Sequence, residues 1–194
     1  MKDPDDAHLR EHFVSSEEVF RGRLLEVRRD HVRLPGGDTT TREFIVHPGA
    51  VMVVPMRDDG RLVVERQFRY PMGRVMLEFP AGKLEVGEPI LECAVRELVE
   101  ETGYRAAEWA HAGVLHNAIA YSTEAIHIWF ARGLTLGDRA LDHGEFVDVD
   151  SATLDELLAM AKGGELTDAK TLIALLWLEK VRQGAWTLEW RAAP

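Results

Sequence analysis

Residues 82–104 read GKLEVGEPILECAVRELVEETGY and carry six glutamates, Glu85, Glu88, Glu92, Glu97, Glu100 and Glu101. Like charges one helical turn apart repel, so this density needs a reason. On a helical wheel, Glu101 lies about 40° to one side of Glu97 and Glu100 about 60° to the other. The three carboxylates project from one sector. That sector borders the apolar stripe of Leu91, Ala94, Val95 and Leu98. Carboxylates held together beside a core take up protons or cations. A divalent cation turns the repulsion into coordination. Mg²⁺, a hard ion, favours carboxylate oxygens and keeps water and substrate phosphates as its other ligands. The glycine-bearing turn at Ala81-Gly82 lets the backbone approach closely, so a main-chain carbonyl there is a further candidate ligand. Taken alone, a glutamate-rich helix is more commonly a solvated one, and only the spacing around it separates the two readings.

These side chains must be carried by a helix entered at Pro89 and left at Gly103, residues suited to the start and the end of a helix. A short strand, VMLEFPAG at 75–82, leads into it. Before that, VMVVPM and RLVVERQF flank RDDG at 57–60, which reads as a hairpin. Residues 12–34 suggest two strands, PGGD at 35–38 a turn, and TTTREFIV at 39–46 a third strand. This N-terminal sheet is too small to bury much by itself, so it is expected to pack on the rest or on a second chain. After the helix, strands are expected at 110–116, 124–132 and 145–149, then helices at roughly 151–161 and 167–181.

The chain has 194 residues, 46% of them apolar and 29% charged, the composition of a folded globular protein. A net charge of −10 argues against a nucleic-acid partner, which requires an excess of Lys and Arg. An acidic protein still binds a phosphate-rich small molecule when cations stand between them. The single cysteine, Cys93, forms no internal disulfide and fits a reducing cytoplasm. MKDPDDAHLR lacks the apolar core of a secretory signal, and no apolar run approaches a membrane span.

The glutamate stretch as a whole reads G-x5-E-x7-R-E-L-x-E-E-x-G-Y: Gly82, Glu88, Arg96, Glu97, Leu98, Glu100, Glu101, Gly103 and Tyr104. This resembles the Nudix box, the signature of hydrolases of nucleoside diphosphates linked to another moiety. Tyr104 departs from the aliphatic residue usual there. The resemblance implies a Nudix α/β/α sandwich with a mixed sheet, plus a small N-terminal antiparallel sheet. It implies domains over 1–47 and 48–194. It also implies a Mg²⁺ cofactor, with Mn²⁺ as the alternative. On the matching positions, Glu97, Glu101 and the carbonyl of Ala81 are expected metal ligands. Glu100 is expected as a further ligand or a water-orienting group, and Arg96 as the residue that orients a box carboxylate. Glu88 matches a structural position at the helix start, where negative charge is favoured. The implied reaction is attack of water on one phosphorus of a pyrophosphate.

The order of segments outside the box, with TREFIVHPGAV at 41–51 and ERQFRYPMGRVMLEFPAGKLEVGE at 65–88, resembles the ADP-ribose pyrophosphatase subfamily over residues 15–182. That implies ADP-ribose as substrate, AMP and ribose 5-phosphate as products, and a homodimer that is domain-swapped through the N-terminal sheet. Arg42 and Arg69, with Arg66 as a neighbouring alternative, are expected on the substrate phosphates, for which guanidinium forks are suited. Glu124 is expected to hold the substrate. Ile119 stands where the subfamily usually has proline. In LDHGEF at 141–146, Glu145 and His143 are both candidates to take the proton from water, as is a box glutamate. Another nucleoside diphosphate sugar or a dinucleotide is the alternative substrate. A non-catalytic ADP-ribose sensor is the reading from a different class, and the intact box weighs against it.

Overall fold

The structure, a computed structural model, describes residues 6–141 and 144–193. Two compact units divide the chain: Met1–His47 with Ala118–Glu124, and Pro48–Asn117 with Ala125–Pro194.

In the first unit the alternating runs expected from sequence form β1 (His12–Arg21), β2 (Glu26–Arg33) and β3 (Thr39–Val46), an antiparallel sheet in the order β1-β2-β3. β2 and β3 pair without a slip from Glu26↔Val46 to Arg33↔Thr39, the ladder closed by the turn after Leu34. The segment Ala118–Glu124 lines the free edge of β3. The Ile45 amide donates to the Tyr121 carbonyl at 2.8 Å, and the Thr123 amide donates to the Ile45 carbonyl at 3.0 Å. β1 is exposed along its whole length, and among the described residues of this unit only Val32 is buried.

The second unit holds β4 (Ala50–Pro55), β5 (Leu62–Arg69), β6 (Arg74–Glu78), β7 (Ala81–Lys83), α1 (Ile90–Thr102), β8 (Tyr104–Leu115), β9 (Ile126–Leu136), β10 (Val147–Ala152), α2 (Leu154–Gly163), α3 (Ala169–Arg182) and β11 (Arg191–Ala192). A mixed five-stranded sheet runs β11-β8-β9-β4-β7, with β4 and β9 parallel, and a three-stranded antiparallel sheet runs β10-β5-β6. Every residue of β4 is buried, as expected of a strand covered on both faces. Val51 and Val53 pack with Cys93, Ala94 and Leu98 of α1. Met52 and Val54 pack on the opposite face with Leu157 of α2 and Leu175 of α3. This is the α/β/α sandwich.

Two local expectations are corrected. RDDG does form a turn, with the Arg57 amide donating to the Arg61 carbonyl at 2.9 Å. Its flanking strands nevertheless make no hairpin. After one bridge, Met56↔Leu62, they part into different sheets. Both edges of β4 are already taken, by β9 and β7. Residues 75–82 form two strands rather than one, because Pro80 has no N–H for a ladder. β6 pairs with β5, and β7 crosses to β4. The two-residue strand β11 was not foreseen.

Candidate active site

α1 begins at a proline and ends at Gly103, whose φ of 77° is left-handed and therefore favours glycine. A Cβ at Gly103 would also meet the Gly137 carbonyl at 2.8 Å. The buried stripe of this helix is Cys93, Ala94, Glu97, Leu98, Glu101 and Thr102. Two of its carboxylates therefore lie on the inward face with the apolar side chains. Glu100 and Arg96 stand beside them, partly exposed.

One guanidinium organises this surface. Arg96 forms a fork on Glu88, with Nε to Oε1 at 2.8 Å and Nη2 to Oε2 at 3.0 Å. Its Nη1 donates to Glu97 and to Glu100, each at 2.8 Å, and its Nη2 reaches the Lys83 carbonyl at 3.2 Å. Glu88 also accepts from the Glu85 amide at 3.0 Å, which closes the loop before the helix. Facing the helix, the Ala81 amide donates to Glu101 at 2.9 Å. Gly82 is required by closeness of approach. A Cβ there would lie 1.8 Å from the Glu97 carboxyl carbon and 1.9 Å from its Oε1.

The electrostatics follow from burial. The Arg96 hydrogen bonds hold the Glu88 carboxyl down to about 2. Burial pushes Glu97 up to about 7, the charges of Glu100 and Glu145 adding to it while Arg96 opposes. Glu101 is raised by burial and by the charges of Glu65 and Glu97. Burial also pushes the Cys93 thiol up to about 12, so it is an inert packing residue. Carboxyls driven toward protonation in this way are a site short of positive charge. Hard oxygen donors, a glycine-permitted close approach and the buried, unpaired oxygens of Glu65 together fit a divalent cation. Among the described residues, no three His, Cys, Asp or Glu side chains yet converge as a ready ligand set. Arg96 and the Ala81 amide hold the box glutamates in the protein's own hydrogen bonds.

Of the residues singled out by sequence, Ala81, Arg96, Glu97, Glu100 and Glu101 come together here. Glu145 is near enough for its charge to bear on both Glu97 and Glu101. Arg69 joins from β5, where it forks onto Glu78 at 2.7 and 2.9 Å, and the charges of Glu65 and Glu101 reach it. Arg66 does not accompany it. Alternation along β5 puts Arg66 on the other face, where it lines a cavity of about 380 Å³ with Phe68, Arg139, Glu145 and Phe146. Arg42 and Glu124 belong to the first unit. There Arg42 pairs with Glu11 at 2.5 Å, and Glu124 lies 3.5 Å from His47. His143 lies outside the described residues. Sequence reasoning missed Glu65, Glu78 and Lys170. Glu65 is wholly buried, and Glu78 is buried and bound by both Arg69 and Lys170. A charged residue continuing the apolar run Leu62-Val63-Val64 was the available signal.

With loop, helix and carboxylates in this arrangement, residues 46–175 match the family model of the NUDIX domain. Residues 11–45 match that of the nucleoside diphosphate sugar hydrolase N-terminal domain. The chain belongs to the Nudix family. Nudix hydrolases generally use divalent metal ions. Among its relatives is an ADP-ribose pyrophosphatase of Bacillus subtilis (strain 168), 37% identical, covering 88% of this chain and 94% of that one. A methanol dehydrogenase activator of Bacillus methanolicus is 39% identical over 86% of this chain and 91% of its own. Among solved structures, one described as an ADP compounds hydrolase superposes with a TM-score of 0.80 at 25% identity, over 92% of this chain and 98% of that chain.

Proposed function

We propose that this protein hydrolyses the pyrophosphate of ADP-ribose to AMP and ribose 5-phosphate, with Mg²⁺ as its cofactor and Mn²⁺ as a substitute. The observation that carries the reading is the intact box in its folded form, with Glu97 and Glu101 on the inward face of α1 and Ala81-Gly82 against them. Similarity to an ADP-ribose pyrophosphatase over 88% of the chain supports the choice of substrate. When bound, a divalent cation neutralises the diphosphate and acidifies a water. Glu97, Glu101, Glu100 and the Ala81 carbonyl would hold it. Arg96 keeps Glu97 and Glu100 in place through its own hydrogen bonds. Arg69 supplies positive charge for a phosphate, and Arg66, Arg42 and Glu124 are further candidates to contact substrate. The proton leaves water for Glu145, His143 or a box glutamate.

The N-terminal match to a nucleoside diphosphate sugar hydrolase domain favours a wider second reading, in which another nucleoside diphosphate sugar is cut. The N-terminal sheet is proposed as the dimerisation region of a homodimer, supported by the exposed apolar side chains of β1, and the single cysteine fits a cytoplasmic setting. Among the described residues no helix is long and apolar enough to cross a membrane.

The test is release of AMP from ADP-ribose with and without Mg²⁺, beside a panel of nucleotide sugars and dinucleotides. Mg²⁺-dependent cleavage preferring ADP-ribose is expected. Preference for GDP-mannose or a dinucleotide would keep the chemistry and reject the substrate. Binding of ADP-ribose without cleavage of any panel member would reject the enzyme.

A further inference from the structure

Glu65 has no task in the reaction just described, and it is the most anomalous group in the second unit. It sits on β5 with no exposed surface, and neither carboxylate oxygen receives a backbone N–H, a hydroxyl or a cationic donor. A buried carboxyl without such a donor is costly and calls for a cause. The nearby cations, Arg69 and Lys170, answer it only in part, since burial and the charge of Glu78 outweigh them. Its cross-strand neighbour is Glu78, and Glu78 takes Arg69 through both Nε and Nη2 and takes Lys170 as well. Lys170 is shared further with Asp168 at 3.1 Å. What remains beside Glu65 is Glu101, the carboxylate expected to ligate a cation. The two carboxyls are close enough to hydrogen-bond to each other, and the charge of Glu65 bears on Glu101.

Two buried acids facing each other on a strand and a helix become compatible when positive charge is placed between or beside them. We propose that Glu65 is a positioning residue of the cation site. It stands behind Glu101, fixes that carboxylate on the site side, and has its burial compensated more fully when a divalent cation is held. This rests on the assignment of Glu97 and Glu101 as cation ligands made above.

The test uses the full-length, metal-free protein titrated with Mn²⁺ alone, free Mn²⁺ being followed by electron paramagnetic resonance, beside thermal unfolding without metal. Glu65→Met keeps the length of the side chain and removes its charge, and Glu65→Gln keeps its shape. Both are expected to weaken Mn²⁺ binding by about 10-fold or more, the effect of losing an outer partner of a ligand. The metal-free Tm of both is expected to stay at or above that of the unaltered protein. Unchanged affinity in both variants overturns the inference. Loss in Glu65→Met alone marks a packing effect and overturns it too, as does loss accompanied by a lowered metal-free Tm in both. Glu97→Gln is the control. If it loses Mn²⁺ while the Glu65 variants keep it, only this inference falls. If Glu97→Gln itself keeps the original affinity, the box assignment falls and this inference with it.

Discussion

At the scale of single residues, the tightest constraint is on Gly82. Any Cβ there lands within about 2 Å of the Glu97 carboxylate, and no rotamer adjustment of the alanine methyl relieves it. Gly82→Ala must displace Glu97, and displacement by about 1 Å costs on the order of 10²-fold in rate. Steady-state hydrolysis of ADP-ribose at saturating Mg²⁺ measures this. An unaltered kcat would show that Glu97 is free to move without consequence, and so is not a ligand. Arg96, Glu97, Glu100, Glu101 and Gly82 were all legible in the sequence, because they lie within one helix and its leading turn, where spacing fixes direction. Glu65 and Glu78 were not. Their nearness depends on β5 pairing with β6 and on α1 packing over them, and neither fact is encoded locally.

At the scale of elements, the crossover from β6 to β7 determines where the Ala81 backbone sits, and α3 secures it. Asp168 caps α3 by accepting from the Thr171 amide at 2.9 Å and from the Thr171 hydroxyl at 2.6 Å. The same hydroxyl oxygen accepts from the Phe79 amide at 3.1 Å, and Lys170 of the same turn binds Glu78. Thr171 has no exposed surface. Thr171→Val keeps the shape and strands the Phe79 N–H, a loss of about 1–3 kcal/mol. In a protein of this size that lowers Tm by roughly 2–12 °C. Thr171→Ser keeps the hydroxyl and should lose less. Equal losses in calorimetry would assign the effect to the methyl group rather than to the hydrogen bond. Here the sequence was legible in part. Turn chemistry at RDDG announced a reversal, and the strands on either side were real. Which strand each would pair with was decided by β9 coming from more than 60 residues away in the chain.

At the scale of the whole molecule, the excess negative charge of −10 is no obstacle to a phosphate-rich substrate, since the site gathers carboxylates that fit a cation. The first unit shows the other global feature. Phe13 and Phe20 on β1 are 66% and 54% exposed, in a ten-residue strand with no buried position. An edge strand so exposed tends to pair or be covered. Sedimentation velocity at micromolar concentration is expected to give a homodimer, and deletion of residues 1–25 is expected to shift it to monomer. A full-length monomer would contradict the proposed dimerisation role. In the sequence, the small size of the N-terminal sheet gave the expectation that it packs on the rest of the chain or on a second chain.

The packing beneath α1 has a practical consequence in light. Two of the five tryptophans, Trp109 and Trp129, lie in the cluster with Cys93, Ala94 and Leu98, directly under the helix that carries Arg96, Glu97, Glu100 and Glu101. Trp177 and Trp186 pair with each other at 4.5 Å, and Trp190 lies beneath Arg132. The box helix therefore rests on its own pair of fluorophores. A cation pulling on its carboxylates is expected to change the surroundings of both indoles, so that the ultraviolet emission of the unlabelled protein records the site being filled.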